Sequence, residues 1–297
     1  MKPELARGRL GLALGLIGVA AFSLSLPMTR LAVSELSPAF VAVGRMAGAG
    51  LLALLWLALA GSRRPRRADF GLLTVSALGV VVGFPLFSTL AMRSMPASDG
   101  AIINGALPFA TALAATLLFR DRQSLRFWVC AAAGSALVIG FAAGGSRPAP
   151  GAGELAMLAA VLTCAAGYAA GGRLAQRIGG VATIAWSLVL VLPLSLPVTA
   201  WLLWSAPPEA DARAWWGFAY VTLVSQFLAF FAWYNGLALG GIARVGQVQL
   251  LQVFLTLAAA AILFAEPVNP ATWGFAAAVV LTILIGRSGP PPLPRPT

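Results

Sequence analysis

The sequence predicts an all-α integral membrane protein, with ten transmembrane helices arranged as two inverted-topology repeats of five. Three observations predict it: the apolar share of the chain, the length of its apolar runs, and a match between its halves at an offset of 145 residues. Of 297 residues, 60% are hydrophobic and only 10% are charged, and the mean hydropathy is +0.89. A soluble domain carries about 25% charged and about 45–50% apolar residues. Surface does not shrink fast enough with chain length for a water-soluble core to absorb that excess. The solvent around most of this chain is lipid.

Crossing ~30 Å of hydrocarbon takes about 20 helical residues. Runs of that kind lie at 9–27, 36–60, 69–92, 96–118 and 124–143, then at 153–173, 181–204, 213–238, 243–264 and 270–286. They are continuously apolar, whereas barrel strands would alternate. With no water to pair the backbone, each run closes its own hydrogen bonds as a helix. Lys2, Arg7 and Arg9 before Leu10–Leu26 resemble a signal peptide, but Ser25-Leu26-Pro27 is a poor cleavage site. The first run reads as a retained span.

The net charge of +11 would suggest nucleic acid in a soluble protein. Here the charges fall between the apolar runs, which points to a topogenic role and to no nucleic-acid partner. With the N-terminus inside, the inner side holds fifteen basic residues: Lys2, Arg7, Arg9, Arg63, Arg64, Arg66, Arg67, Arg120, Arg122, Arg126, Arg173, Arg177, Arg244, Arg287 and Arg295. The outer side holds four: Arg30, Arg93, Arg147 and Arg213. Both termini are therefore expected in the cytoplasm of a bacterial inner membrane. The run Arg63–Arg67 reads as an ordinary cytoplasmic loop, with contact to anionic lipid as its other reading. The Pro-rich tail 289–297 is expected to be disordered and cytoplasmic.

The offset of 145 places Asp121 on Glu266, Trp128 on Trp273, Asn104 on Gln249 and Thr111 on Thr256. The repeats are expected at 1–145 and 146–288. Because each holds an odd number of spans, the second enters the membrane in the opposite sense. That architecture places sites near the midplane between repeats.

Short motifs carry a family resemblance. Ala91-Met92-Arg93-Ser94-Met95-Pro96-Ala97-Ser98-Asp99-Gly100 resembles the stretch between the third and fourth spans of the EamA domain. Leu118-Phe119-Arg120-Asp121-Arg122 looks like that domain's acidic end to span four, with Asp where Glu is usual. Ser37-Pro38 and Gly44-Arg45 are similar to its second span, and Phe264-Ala265-Glu266-Pro267 and Ala243-Arg244-Val245 carry weaker versions in the second half. Nearly the whole chain is thus similar to two EamA units of the drug/metabolite transporter superfamily. In size it resembles the amino-acid exporters, including the YddG-like aromatic amino-acid exporters. The resemblance implies export of a small-molecule substrate, with amino acids as the expected class.

Polar groups deep in a bilayer are costly and usually face inward. Asn104, with Pro108 and Thr111, makes one polar stripe, and Gln249, with Gln252 and Thr256, makes another. Each stripe either lines a substrate cavity or glues helices, a bond worth about 0.6 kcal/mol on average. In span eight Gln226 is expected at the cavity, with Trp233 and Tyr234 placed to grip a planar or cationic substrate or else to sit in the interfacial belt. Tyr168 and Trp186 are remoter candidates. Arg45 lies within span two: it either binds a substrate carboxylate or snorkels and hydrogen-bonds neighbouring carbonyls, and the resemblance implies a structural or gating role. Gly83, Pro85 and Pro108 are candidate hinges, with close helix packing as the glycine's other reading.

The chain has no His, and Cys130 and Cys164 lie inside apolar runs, so no metal or other cofactor is implied. Asp99, Asp121, Glu154 and Glu266 lie at span ends, which favours facilitated diffusion or weakly coupled exchange over a proton pump. The chain carries no Walker A motif and no metalloprotease or serine-hydrolase motif. An ATPase partner and an enzyme are therefore not expected. A channel-like facilitator and a multidrug or cation exporter stand as alternatives, and a monomer or weak homodimer is the expected state.

Overall fold

The computed structural model describes residues 2–60, 64–120, 124–143, 151–240, 245, 247–266 and 270–287. Arg63, Asp121, Arg122, Arg147, Arg244, Pro267 and the tail 289–297 lie outside them. Among the described residues every regular element is helical. In chain order they are α1 (Ala6–Val33), α2 (Pro38–Ala60), α3 (Arg67–Ser94), α4 (Ala97–Phe119), α5 (Leu125–Ala143), α6 (Ala152–Ile178), α7 (Gly180–Ser205), α8 (Ala212–Gly240), α9 (Val248–Phe264) and α10 (Pro270–Arg287). Seven, α1–α4 and α6–α8, are long and apolar enough to cross a membrane. The other three are shorter among the described residues, and the ten helices stand at the expected places.

The bundle is apolar outside, and its polar side chains between the ends are buried within an otherwise apolar core. Leu59, Leu117, Leu194 and Ile262 point outward, while Arg45, Ser76, Thr89, Ser187 and Gln226 are at most 1% exposed. That distribution suits a hydrocarbon solvent, which has no partner for a hydroxyl or an amide. Trp201, Trp204, Trp215 and Trp216 are exposed around the connection between α7 and α8, where an interfacial belt would place them.

The packing repeats under the exchange of each helix with the one five places on. α1 lies along α8, and α3 along α6, which is the image of that pair. α2 packs on α7, α4 on α9 and α5 on α10, each facing its own image. The backbone repeats its irregularities too. α3 carries a π-helical segment at Ala77–Gly83 and α8 one at Tyr220–Leu228. α4 breaks at Gly105–Ala106, and α9 starts with a 3₁₀ turn at Gln247–Leu250. α4 ends on Arg120 and α9 runs out at Ala265, both left-handed (φ 58° and 50°) and 145 residues apart.

End-to-end contacts sort as an up-and-down threading requires. Around one end, Arg30 pairs with Glu266, the Glu35 carboxylate accepts the Asp211 N–H, and Gly153 abuts Ser94 and Met95. Around the other, Arg177 pairs with Asp69 at 3.2 Å, Arg173 lies 4.1 Å over the Phe119 ring, and Gly11 meets Gly240.

Glycine sets the closest approaches. A Cβ on Gly79 would lie 2.4 Å from the Thr163 carbonyl and 2.7 Å from Gly167 Cα, so α3 and α6 touch backbone to backbone. Gly83 meets the Thr163 side chain in the same way, which favours close packing there. Pro85 follows the π segment inside the continuous α3, and Pro108 sits in the first turn after the α4 break. At Pro108 a proline costs little, because first-turn N–H groups lack a helical partner in any case.

Candidate functional site

Seven helices enclose a central cavity of about 20 Å³, room for about one water molecule. Its polar lining is Ser25, Arg45, Asn104, Ser225, Gln226 and Gln252, and Phe22, Phe84, Tyr168 and Phe230 form the aromatic wall.

Almost every polar group here sits where the helical ladder is disturbed. Ser25 follows the interruption of α1 at Leu24. Asn104 is the last residue before the break in α4, and Gln252 is the second residue after the 3₁₀ start of α9. Ser225 and Gln226 belong to the π segment of α8, and Gln226 Nε2 donates to the carbonyl of Val80, in the π segment of α3, at 3.4 Å. Breaks and π turns release or redirect backbone groups, and they recur where helices build sites. Arg45 is the exception, placed by an unbroken α2.

The hydrogen bonding is incomplete. Ser25 and Ser225 share a bond of 2.6 Å, and Arg45 Nη2 donates to Ser225 Oγ at 3.2 Å. Arg45 Nε and Nη1, Asn104 Oδ1 and Gln252 Oε1 are buried with no partner among the described residues. An unsatisfied buried polar group costs about 1–3 kcal/mol, and a charged one more.

Of the residues singled out from sequence, Arg45, Asn104, Gln226 and Gln252 converge on the cavity. Arg45 is 1% exposed and bonds into the bundle rather than reaching the interface. Gln249 is buried one turn away, within the 3₁₀ turn and outside the lining. Trp233 packs behind the wall on Phe22 and Tyr168, with centroids 6.3 and 6.2 Å away. Tyr234 is buried beside Gly171 and Ser76, also outside the lining. Sequence reading missed Ser25, Ser225 and the phenylalanines, since each residue type is ordinary inside an apolar helix.

At the end of α9 lies a second polar cluster. The Glu266 carboxylate accepts the N–H groups of Ala97 at 3.1 Å and Ser98 at 3.0 Å, capping α4 from the other half of the chain. It also pairs with Arg30, whose guanidinium stacks 5.2 Å from the Phe264 ring. One carboxylate thus ties α1, α4 and α9 together, favoured by the positive end of the α4 dipole. At the opposite end a groove of about 440 Å³ opens between α3, α4 and α6, lined in part by Phe119, Arg173 and Arg177.

A twofold-repeated helical bundle with a buried polar cavity at its seam is the architecture of a membrane transporter. The chain belongs to the EamA-like transporter family, whose model matches residues 9–141 and again 151–286. It is 43% identical to the "Uncharacterized transporter YdeK" of Bacillus subtilis (strain 168) over 276 residues, 92% of this chain and 95% of that protein. A solved crystal structure matches it with a TM-score of 0.62 at 17% identity, covering 94% of this chain and 98% of its own, a likeness of fold alone.

Proposed function

We propose that this transporter is a secondary exporter of small metabolites, amino acids foremost, working by alternating access at the central cavity of a bacterial inner membrane. The two repeats, 1–145 and 146–288, are its moving parts, and both termini lie in the cytoplasm. One observation carries the reading: four buried polar atoms without partners surround a space that holds about one water. A cavity so small cannot admit a metabolite as it stands, so loading it requires the walls to part.

The ends suggest where. The Glu266 cluster closes one end, and the groove beside Arg173 marks the other as the looser. Gly83, Pro85 and Pro108, next to the π segment and the α4 break, are the positions from which the walls would bend. The aromatic wall gives an aromatic amino acid, as in YddG-like exporters, a surface to stack on. Trp233 and Tyr234 pack behind that wall, and Gln249 is buried one turn away from it.

The test is solute flux in proteoliposomes, with aromatic amino acids, small neutral amino acids and cationic drugs, each with and without a pH gradient. Saturable exchange of an amino acid, little changed by the gradient, is the expected result. Flux of ions without saturation would instead indicate a channel.

A further inference from the structure

The cavity holds one fixed charge and no counter-charge. Arg45 is the only Arg, Lys, Asp or Glu in its lining. A guanidinium stays protonated throughout the range in which proteins work. Among the described residues no carboxylate pairs with it, and its one bond is to the Ser225 hydroxyl. Two of its three nitrogens point at no acceptor, while the carbonyl oxygens of Asn104 and Gln252 lie in the same lining without a donor.

A lone buried charge is among the most costly features a chain can carry in a bilayer. It persists where something regularly supplies the missing partner. The deficit has a definite chemistry: an anion to face the guanidinium, and N–H or O–H groups to face two carbonyls. The repeat makes it one-sided. Position 45 maps on 190, which is Leu190, partly exposed on the outside of α7. The charge therefore comes from the first half only, on the wall formed by α2 and α8. The two orphan amides come from α4 and α9.

We infer that the cavity is a carboxylate site: Arg45 binds the substrate's carboxylate, while Asn104 and Gln252 accept hydrogen bonds from its ammonium or hydroxyl group. Arginine suits the task, since planar carboxylates match its donor geometry. The substrate class is a small zwitterion or monoanion carrying both groups, and organic cations are rejected because they would set like charge against Arg45. This rests on the transport reading above and narrows it.

Two matched pairs of probes test it in the full-length wild-type protein: alanine with alaninamide, and phenylalanine with phenylalaninamide. Within each pair only the carboxylate is lost, and the amide is a cation. Thermal stabilisation of the purified protein and counterflow in proteoliposomes are both measured. The acid of at least one pair is expected to bind and exchange about tenfold or more better than its amide. Arg45→Gln is expected to remove that preference, and Arg45→Lys to recover part of it. Because the wild-type comparison needs no mutant, misfolding of either variant leaves the test intact. Amides that bind as well as or better than their acids overturn the carboxylate site and leave a transporter of another substrate class. If no probe binds or moves, the amino-acid reading falls as well.

Discussion

The two halves of this molecule share a backbone and differ in chemistry. α1–α5 and α6–α10 repeat their helix pairings, their π segments in α3 and α8, and their left-handed helix ends at Arg120 and Ala265. Several side chains of the cavity lining do not repeat: Arg45 has Leu190 as its image, Ser225 has Val80, and Gln226 has Val81. In the proposed exporter, the shared backbone is what would let the cavity open toward each face in turn. The unshared side chains give the cavity a polar direction, so that a bound solute would be held in one orientation whichever way the walls lean.

That contrast can be broken at several points. The largest effect is expected where backbone symmetry depends on contact. Gly79→Leu drives a side chain into the Thr163 carbonyl and Gly167 and should abolish folded protein in detergent, since overpacking costs about 1–3 kcal/mol even where neighbours are free to shift. Gly71→Leu, with nothing within 4 Å of its Cβ, should leave yield and melting temperature unchanged. Equal losses at both positions would mean that α3 and α6 do not pack as described.

Next comes the carboxylate that closes one end. Glu266→Gln removes the ion pair with Arg30 and weakens the cap on α4, and should lower stability by about 1–3 kcal/mol in thermal or denaturant unfolding. Its image in the repeat is Asp121. A similar loss in Asp121→Asn would show that both ends use the device, and a loss at Glu266 alone would make closure as one-sided as the cavity.

The smallest of these effects separates cavity from glue. Asn104→Ala and Gln252→Ala should lower flux about tenfold at unchanged yield, because each removes an unpaired group from the lining. Gln249→Ala, buried outside the lining, should change flux by less than about threefold. Loss of yield together with flux at Asn104 and Gln252 would assign those amides to helix packing.

Much of the fold was legible because bilayer physics writes it in plain terms. Long apolar runs, Arg-rich gaps and the offset of 145 suffice for ten helices in two repeats. The observed α5 and α10 fall within a residue of the apolar runs at 124–143 and 270–286, because Arg-rich and Pro-rich gaps mark those ends in the sequence. In the site, Arg45, Asn104, Gln226 and Gln252 stood out as polar groups deep in apolar runs, where their cost makes them conspicuous. Ser25 and Ser225 did not, because a serine satisfies itself on its own helix and reads as filler. Trp233 and Tyr234, which the sequence leaves open between the cavity and the interfacial belt, are buried behind the lining. The π segments, which aim Gln226 at Val80, left no mark in composition at all.

The central claim is that one cavity at the seam is reached from both faces. The most direct measurement places a single cysteine there, Ser25→Cys, in a chain whose Cys130 and Cys164 are replaced by serine. A membrane-impermeant thiol reagent is then applied to right-side-out and to inside-out vesicles. Labelling from both faces, slowed from both by a transported amino acid, is the predicted result. Labelling from one face only, or labelling that the solute leaves unchanged, would contradict the account.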